Sequence, residues 1–237
     1  MKAGPQIHDL LARAAGGLTL LASGEWRIVS SLLRRQLWSD RVFLGLYRDL
    51  TVASTGPVAD DDIMVRELRP SDVPKLFDVG RRDLYGQDIY ERLSRRRLLR
   101  SGIGIPCIAV NAAGAPCYVV WMIGPEDNHI VQRYFHGRFP PLEADEVLFE
   151  GAFTSEANRG QHVAGRAGRQ IRARAVERGA RRAIAFVDIN NRASLKACRR
   201  SGYKSFLLRL ERYRLFRLTM TFTPANDSTS LWFDELG

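Results

Sequence analysis

The pattern of apolar and polar positions divides the chain at a short turn-forming stretch. Apolar residues recur at helical spacing within residues 29–37, with arginines between them, and this pattern predicts that residues 1–50 are helical. The stretch 51–62, TVASTGPVADDD, combines small, turn-forming and acidic residues and predicts a linker. We therefore expect an N-terminal helical extension with its linker over residues 1–60.

After the linker, the pattern alternates between strand and helix periods. The predicted strands lie at 63–68, on both sides of 111–114, at 146–154, at 181–189 and as a final pair after 202. The predicted helices begin at Ser71 or Asp72, span 88–102, begin near Gln161 and end at Gly179, and span 191–202. This order predicts a mixed α/β fold with one sheet covered by helices. We assign residues 61–222 to this domain and residues 223–237 to a C-terminal tail.

Composition adds one strong constraint, which is charge. The chain has 237 residues, of which 45% are hydrophobic and 26% charged, as is ordinary for a globular protein. Its formal net charge of +10 predicts attraction to a phosphorylated cofactor, a nucleic acid or an acidic membrane surface. Because no stacking-aromatic array or recognition-helix pattern accompanies the arginines, a nucleic-acid partner is not favoured.

Cysteine and histidine positions argue against a metal site. Cys107, Cys117 and Cys198 are odd in number and not closely paired, and the four histidines lack metal-ligand spacing. No apolar run approaches the roughly 18 residues needed to span a bilayer. Asp9 and Arg13 interrupt the N-terminal apolar stretch, which argues against a cleaved signal peptide. We expect a cytoplasmic protein without a metal.

Residues 18–50 leave two interpretations open. Trp26 and Trp38 flank a basic amphipathic helix, a pattern typical of peripheral contact with an anionic membrane. The alternative is that this helix packs on the main domain or on a second subunit, as in a homodimer.

The stretch 158–170, NRGQHVAGRAGRQ, lies where a strand is expected to end and a helix to begin. Exposed N–H groups at a helix N-terminus bind phosphate, and Gly160 and Gly165 would let a phosphate approach the backbone. Arg159 and Arg166 add positive charge. The alternative is that the arginines between 159 and 178, among them Arg172, form only a solvated helix face.

This stretch resembles a known motif. LFEGAFT followed by RGQHVA is similar to motif A of the GNAT acetyltransferase superfamily, Gln/Arg-x-x-Gly-x-Gly/Ala, which binds the pyrophosphate of acyl-coenzyme A. Arg159 fills its first position and Ala164 its last, whereas His162 replaces the middle glycine. A second stretch, NNRASLKACRRSGYK, resembles motif B of the same family, with Gly202 followed by an aromatic residue as in that motif.

The resemblance covers about two thirds of the chain, from residue 63 to about 220. It implies a central, mixed, mostly antiparallel sheet flanked by helices. It also implies an acyl-CoA-dependent N-acyltransferase that transfers an acetyl group from acetyl-CoA to a primary amine of a small molecule or sugar by direct attack. The alternative is a GNAT-like protein that binds acyl-CoA or a partner with little catalysis.

The resemblance and the strand-to-helix turn together give a set of candidate site residues. The candidates for binding acyl-CoA are Phe153, Thr154, Arg159, Gly160, Gln161, His162, Val163, Ala164, Gly165, Arg166, Asn191 and Ser194. Glu150 is the candidate general base, because a carboxylate on a buried strand tends toward a raised pKa; the alternative is a solvent-facing or arginine-paired carboxylate. By period-two alternation it shares a strand face with Leu148, Ala152 and Thr154. Asn191 also fits the N-cap of a helix.

Acyl transfer releases coenzyme A as a thiolate, and the sequence leaves open which group protonates it. The family often carries a tyrosine seven residues after the motif B asparagine, and Cys198 stands there. Cys198 is therefore a candidate acid or a packed small hydrophobe; Tyr203 and water are the alternatives. Trp121 is a candidate for the acceptor pocket or the core. The segment 125–141 is a candidate for the substrate mouth.

Overall fold

The computed structural model describes residues 26–52, 62–80, 84 and 86–236. Its centre is one eight-stranded sheet in the order β2-β3-β4-β5-β6-β1-β7-β8. Neighbouring strands are antiparallel except for the parallel pair β5–β6. Helices lie on both faces of this sheet, so the predicted mixed α/β fold with a mostly antiparallel sheet is confirmed.

The elements follow one another in this order along the chain. The strands are β1 Trp38–Asp49, β2 Ile63–Glu67, β3 Ile105–Asn111, β4 Pro116–Ile123, β5 Glu146–Thr154, β6 Arg182–Asp188, β7 Lys204–Arg214 and β8 Arg217–Pro224. The helices are α1 Trp26–Leu37, α2 Val73–Phe77, α3 Gly86–Arg100, α4 Asn128–Tyr134, α5 Val163–Glu177, α6 Arg192–Arg200 and α7 Asp227–Asp234.

The prediction that residues 1–50 are helical is wrong for β1. This strand lies inside the sheet, between β6 and β7, and pairs with both of them over most of its length. At its centre Gly45 has no room for a side chain, because a Cβ there would lie 3.0 Å from both Leu207 Cβ and Phe186 Cε1. Of the preceding segment, residues 1–25 lie outside the described residues, as does most of the predicted linker, residues 53–61.

Two hydrophobic cores form, one on each face of the sheet. The first packs under α5 and α6, and the second packs under α2, α3 and α4. The helical spacing of Val163, Ala167, Ile171 and Ala175 predicts that they share one face of α5, and all four are buried in the first core. These side chains therefore hold α5 against β2, β3, β4 and β5, on the face of the sheet that carries the first core.

A buried arginine joins the second core to the segment that precedes α5. Arg92 of α3 is 0% exposed; its Nη1 donates to the Leu76 carbonyl at 2.6 Å, and its Nη2 forms an ion pair with Glu156. Its guanidinium also lies 5.5 Å from the centre of the Phe153 ring. Because a buried charge is tolerated only when it is paired, these contacts hold the β5–α5 connection in one position.

The C-terminal tail forms α7, which packs on the first core. Phe233 and Leu236 are buried, Trp232 is partly buried and Leu231 is 61% exposed. The tail therefore docks through Phe233 and Leu236, with Trp232 partly buried, whereas Leu231 faces outward. Asn226 begins the helix, since its side chain accepts a hydrogen bond from the Thr229 N–H.

Candidate active site

The sheet opens at the C-terminal ends of its two parallel strands. β5 and β6 pair at only three positions, Glu146 with Arg182, Val147 with Ala183 and Leu148 with Ile184. Beyond them β5 continues beside β4, whereas β6 continues beside β1. The two strands therefore diverge and expose backbone N–H and C=O groups along the opening.

A β-bulge in β5 changes which side chains face the second core. Val119 pairs with Phe153 and Trp121 with Glu150, so Gly151 and Ala152 together oppose one residue of β4. Gly151 has φ +69°, and a Cβ there would lie 2.8 Å from Leu98 Cδ2. The expected alternation of Leu148, Glu150, Ala152 and Thr154 on one face is therefore wrong beyond the bulge, where Phe153 joins Leu148 in the second core.

The bulge places Glu150 among basic groups. Burial raises the pKa of this carboxyl above its usual value, while the Gly151 backbone N–H and the charges of Arg209, Arg95 and Arg138 oppose that rise. The predicted direction of the Glu150 pKa is thus the direction found in the structure. A carboxylate in this state accepts a proton more readily than an ordinary one, as a general base requires.

Two of the arginines near Glu150, Arg209 and Arg138, share the buried carboxylate of Glu211. Arg209 Nη2 lies 3.1 Å from Glu211 Oε1, and Arg138 Nε lies 3.0 Å from the same oxygen. Arg209 also lies over the rings of Phe43, Phe139 and Phe186, and burial lowers its pKa to about 10. The segment 125–141 contributes Arg138 to these contacts. The segment is thus on the Glu150 side of the sheet.

The turn before α5 contains two residues in the left-handed conformation, Gly160 and His162. Gly160 has φ +79°, and a Cβ there would meet no atom within 4 Å. His162, which stands where the resembling motif has glycine, has φ +55°, a left-handed conformation that glycine adopts freely and histidine less often. The first bonds of α5 run from the N–H groups of Gly165 and Arg166 to the His162 carbonyl. The preceding N–H groups have no partner within the helix.

A groove between α5 and α6 continues from this turn. It has a volume of about 650 Å³. It is lined by Tyr47, Arg48, Asp49, Val52, His162, Ala164, Gly165, Arg166, Arg169, Arg172, Ala197, Arg200, Ser201, Gly202 and Lys204. Six of these residues are basic and only Asp49 is acidic, so the groove attracts anions.

Two glycines make room for arginines in the groove. A Cβ on Gly168 would lie 3.1 Å from Arg172 Nη1, and one on Gly202 would lie 2.8 Å from Arg48 Nη1. Arg172 is buried, which lowers its pKa, while its interaction with Tyr203 opposes that effect. The expectation that Arg172 belongs to a solvated helix face is therefore wrong.

The predicted binding residues divide into those that line the groove and those that do not. His162, Ala164, Gly165 and Arg166 line it, and Gly160 and Gln161 are exposed just before it. The side chains of Phe153 and Val163 are buried in the two cores, so only their backbone groups are available. Thr154 is paired with Tyr118 in the sheet.

The side chains of Arg159 and Asn191 are engaged in other contacts, as is the backbone N–H of Ser194. Arg159 Nη2 donates to Asp88 Oδ1 at 2.8 Å and lies within 4 Å of carboxylates of Glu91 and Glu156. The side chain of Asn191 accepts the Ser194 N–H at 3.1 Å, which confirms the predicted N-cap of α6. A phosphate would therefore compete with three carboxylates for Arg159.

The candidate acids lie on the α6 side of the sheet. Burial raises the pKa of the Cys198 thiol to about 11 and raises that of the Tyr203 hydroxyl. Both groups hold their protons at neutral pH and release them less readily than in water. Trp121, the candidate acceptor residue, is fully buried and stacks on Phe77 in the second core.

Several groove residues were missed because their segment was taken for a helix. Tyr47, Arg48 and Asp49 come from the end of β1. The period-two spacing of Val42, Leu44 and Leu46 could have indicated a strand here. In the structure Leu44 and Leu46 are fully buried on one face of β1. In the described parts of the chain, no cluster of metal-ligating side chains and no helix long and apolar enough to cross a membrane is found.

These features define a mixed α/β protein with an opened sheet and a basic groove. No protein-family model and no curated protein matches the chain. A GCN5-related N-acetyltransferase from Sphaerobacter thermophilus is similar at 15% identity and TM-score 0.45, over 78% of this chain and 56% of that one. A GNAT-family acetyltransferase from Colwellia psychrerythraea is similar at 14% identity and TM-score 0.47, over 81% and 62%.

A third similar structure is a fungal GCN5-related glucosamine N-acetyltransferase region within a multi-domain GH3 β-N-acetylglucosaminidase, at 14% identity and TM-score 0.49, over 82% of this chain and 23% of that one. The solved structures that are similar to the chain thus include GNAT-family acetyltransferases. The chain spans a little over half the length of the first of these structures. At this similarity the likeness concerns general architecture alone.

Proposed function

We propose that the protein is an acyl-CoA-dependent N-acyltransferase that transfers an acetyl group from acetyl-CoA to a primary amine of a small molecule or sugar. The observation that supports this function is the opening between β5 and β6. The turn before α5 and the basic groove lie on one side of it, and Glu150 lies on the other. A thioester carrier bound in the groove would reach an amine beside Glu150 through the sheet.

The groove fits the anionic end of coenzyme A. The N–H groups from Gln161 to Ala164 are available to the pyrophosphate at the positive end of α5. Arg169 and Arg200, farther along the groove, supply charge for the remaining phosphate. Because Arg159 is bonded to α3 carboxylates, we assign it to holding the turn rather than to the phosphates.

The chemistry needs one bond formed and one broken. The neutral amine nitrogen attacks the thioester carbon, backbone N–H groups at the end of β5 stabilise the carbonyl oxygen, and the carbon–sulfur bond breaks. Glu150 takes the proton that the amine loses, and its raised pKa suits that role. The thiolate takes a proton from Cys198 or from water. A Cys198→Ala variant that retains full turnover would assign this step to water.

Titration calorimetry with coenzyme A tests the binding step. Gly160→Leu should weaken binding by about tenfold or more, because its side chain would cover the N–H groups of the turn. Gly114→Leu is the matched control, because Gly114 also has positive φ and open surroundings but lies in the β3–β4 turn. Absence of heat with every coenzyme A derivative, or equal loss in both variants, would contradict the proposal.

A second candidate function is acyl-CoA binding with little catalysis. It is favoured by the high pKa of the Cys198 thiol, since a poor acid at this position would slow release of the thiolate. Thiol release should be measured with acetyl-CoA across a panel of amines. Tight acetyl-CoA binding without thiol release from any amine would favour this second function over the first.

A further inference from the structure

An exposed apolar patch lies at one end of the sheet, away from both cores. We call it the apolar tip and define it as Leu33, Leu37, Trp38, Leu215 and Phe216. Trp38 is 71% exposed, Leu215 79% and Phe216 55%. Exposed apolar residues occur singly on most proteins, but a connected group of large ones marks an interaction surface.

The turn between β7 and β8 has an unusual sequence for its backbone. Leu215 has φ +48° and Phe216 has φ +66°, so both central residues of this two-residue turn are left-handed. Such a turn favours Asn-Gly, because bulky side chains are strained at positive φ. Since both side chains are exposed, packing within the described residues does not offset that strain. A role outside the fold would explain why they are there.

The turn is bonded directly to the end of α1. The Leu215 N–H donates to the Leu37 carbonyl and the Phe216 N–H donates to the Gln36 carbonyl, both at 2.8 Å. The other face of α1 packs on α3, where Ile28, Val29 and Leu32 contact the cluster of Leu84 and Ile89. The helix therefore uses one apolar face for the fold and leaves Leu33 and Leu37 at the apolar tip.

The charges around the apolar tip are predominantly positive. Within residues 26–40 and 212–218 the basic residues are Arg27, Arg34, Arg35, Arg212, Arg214 and Arg217. Asp40 is the only acid in these two ranges, and it pairs with Arg214. Two copies joined through this surface would bring their arginines together, which disfavours self-association. A partner surface with anionic groups over an apolar interior would pair with the arginines and also bury the apolar side chains.

We propose that the apolar tip binds the surface of an anionic lipid bilayer, with Trp38, Leu215 and Phe216 entering the headgroup region and the arginines contacting anionic lipids. Tryptophan and phenylalanine are favoured at this depth, and arginines are attracted to anionic headgroups. The tip lies at the sheet end toward which β5 and β6 diverge, since β1 and β7 extend past the last paired residue of β6. The inference does not depend on acyl transfer.

Vesicle co-sedimentation of the full chain tests this inference. The protein should sediment with vesicles of phosphatidylserine mixed with phosphatidylcholine, and added salt should weaken the binding. The double variant Leu215→Asn with Phe216→Gly installs the pair that the turn prefers. It should bind at least about tenfold more weakly, while its urea midpoint stays equal or rises. The matched control is Leu231→Asn, which removes an equally exposed leucine from α7 and should leave binding unchanged.

Three results would overturn the inference. They are an absence of co-sedimentation, equal binding to pure phosphatidylcholine, and equal loss of binding in the Leu231→Asn control. Sedimentation velocity tests the alternative occupant of the apolar tip, which is a second copy of the chain. If the wild type is a dimer and the double variant a monomer, the apolar tip is a subunit interface and the bilayer proposal is wrong. If the double variant still binds coenzyme A as the wild type does, the result at the apolar tip can be judged independently of the proposed function.

Discussion

The Gly151→Ala substitution should destabilise the protein more than its φ angle alone explains. The added Cβ would lie 2.8 Å from Leu98 Cδ2 and 2.9 Å from Trp121 Cε3. Both neighbours are buried, so neither side chain can move away without disturbing the second core. Gly114→Ala is the matched control, because Gly114 has φ +72° but no atom within 4 Å of its added Cβ.

Both substitutions place alanine at positive φ, but only Gly151→Ala also overpacks the core. Placing alanine at positive φ costs about 1–2 kcal/mol in each variant. Overpacking in a filled core adds about 1–3 kcal/mol to Gly151→Ala alone. The free energy of unfolding should therefore fall by about 1–2 kcal/mol for Gly114→Ala and about 2–5 kcal/mol for Gly151→Ala.

Urea unfolding followed by circular dichroism measures both free energies, and an unchanged slope would show that the same surface is exposed. Because Gly151 follows Glu150 and its N–H contacts that carboxyl, turnover should also fall in Gly151→Ala beyond the loss of folded protein. Equal destabilisation of the two variants would refute the reasoning, since it would mean that close approach to Leu98 and Trp121 does not fix the bulge.

Three further predictions follow from the site and the sheet. Because burial raises the pKa of Glu150, and a base acts only when ionised, kcat/KM should rise with pH through that raised pKa. Glu150→Gln should remove the rise and lower kcat by about 100-fold or more, whereas a retained pH profile would exclude Glu150 as the base. Arg169→Gln should weaken coenzyme A binding about three- to tenfold at low salt and less at high salt, and Arg100→Gln, outside the groove, should not. Gly45→Val should lower the free energy of unfolding by about 1–3 kcal/mol in urea titrations, because Leu207 and Phe186 fill its space; an unchanged midpoint would contradict that packing.

The order of the strands from residue 63 onward and of α2, α3, α5 and α6 was predictable because each of these elements has its own local period. Neither α4, in the segment assigned to the substrate mouth, nor α7, in the predicted tail, was among the predicted helices. The apolar face of α5 and the N-cap of α6 at Asn191 depend on residues close together in sequence, and both were found as predicted. The insertion of β1 between β6 and β7 was not predicted, since it depends on pairing with strands more than a hundred residues away. The helical spacing of apolar residues within 29–37 was extended over the shorter alternation that follows them.

The candidate site was predicted less completely than the fold. The sequence located the turn at Gly160 and the carboxyl at Glu150, because a glycine-bearing strand-to-helix turn and an acid on an apolar strand are both local patterns. The bulge at Gly151 could not be derived from alternation, which assumes a regular strand. The basic groove draws on three separate segments, so that its lining, including Arg48, emerges only when the chain is folded.

The position of β1 also determines which experiments can separate the two proposals. This one strand contributes Trp38 to the apolar tip and Arg48 to the groove, and Arg41 forms a 2.6 Å ion pair with Asp188 at the end of β6. Deleting residues 1–50 would remove a strand that is paired on both sides and leave β6 and β7 with open edges. We expect that truncated chain to aggregate, so its loss of vesicle binding and of coenzyme A binding would not distinguish the two surfaces. Point substitutions at Leu215 and Phe216 leave β1 in the sheet and make that distinction.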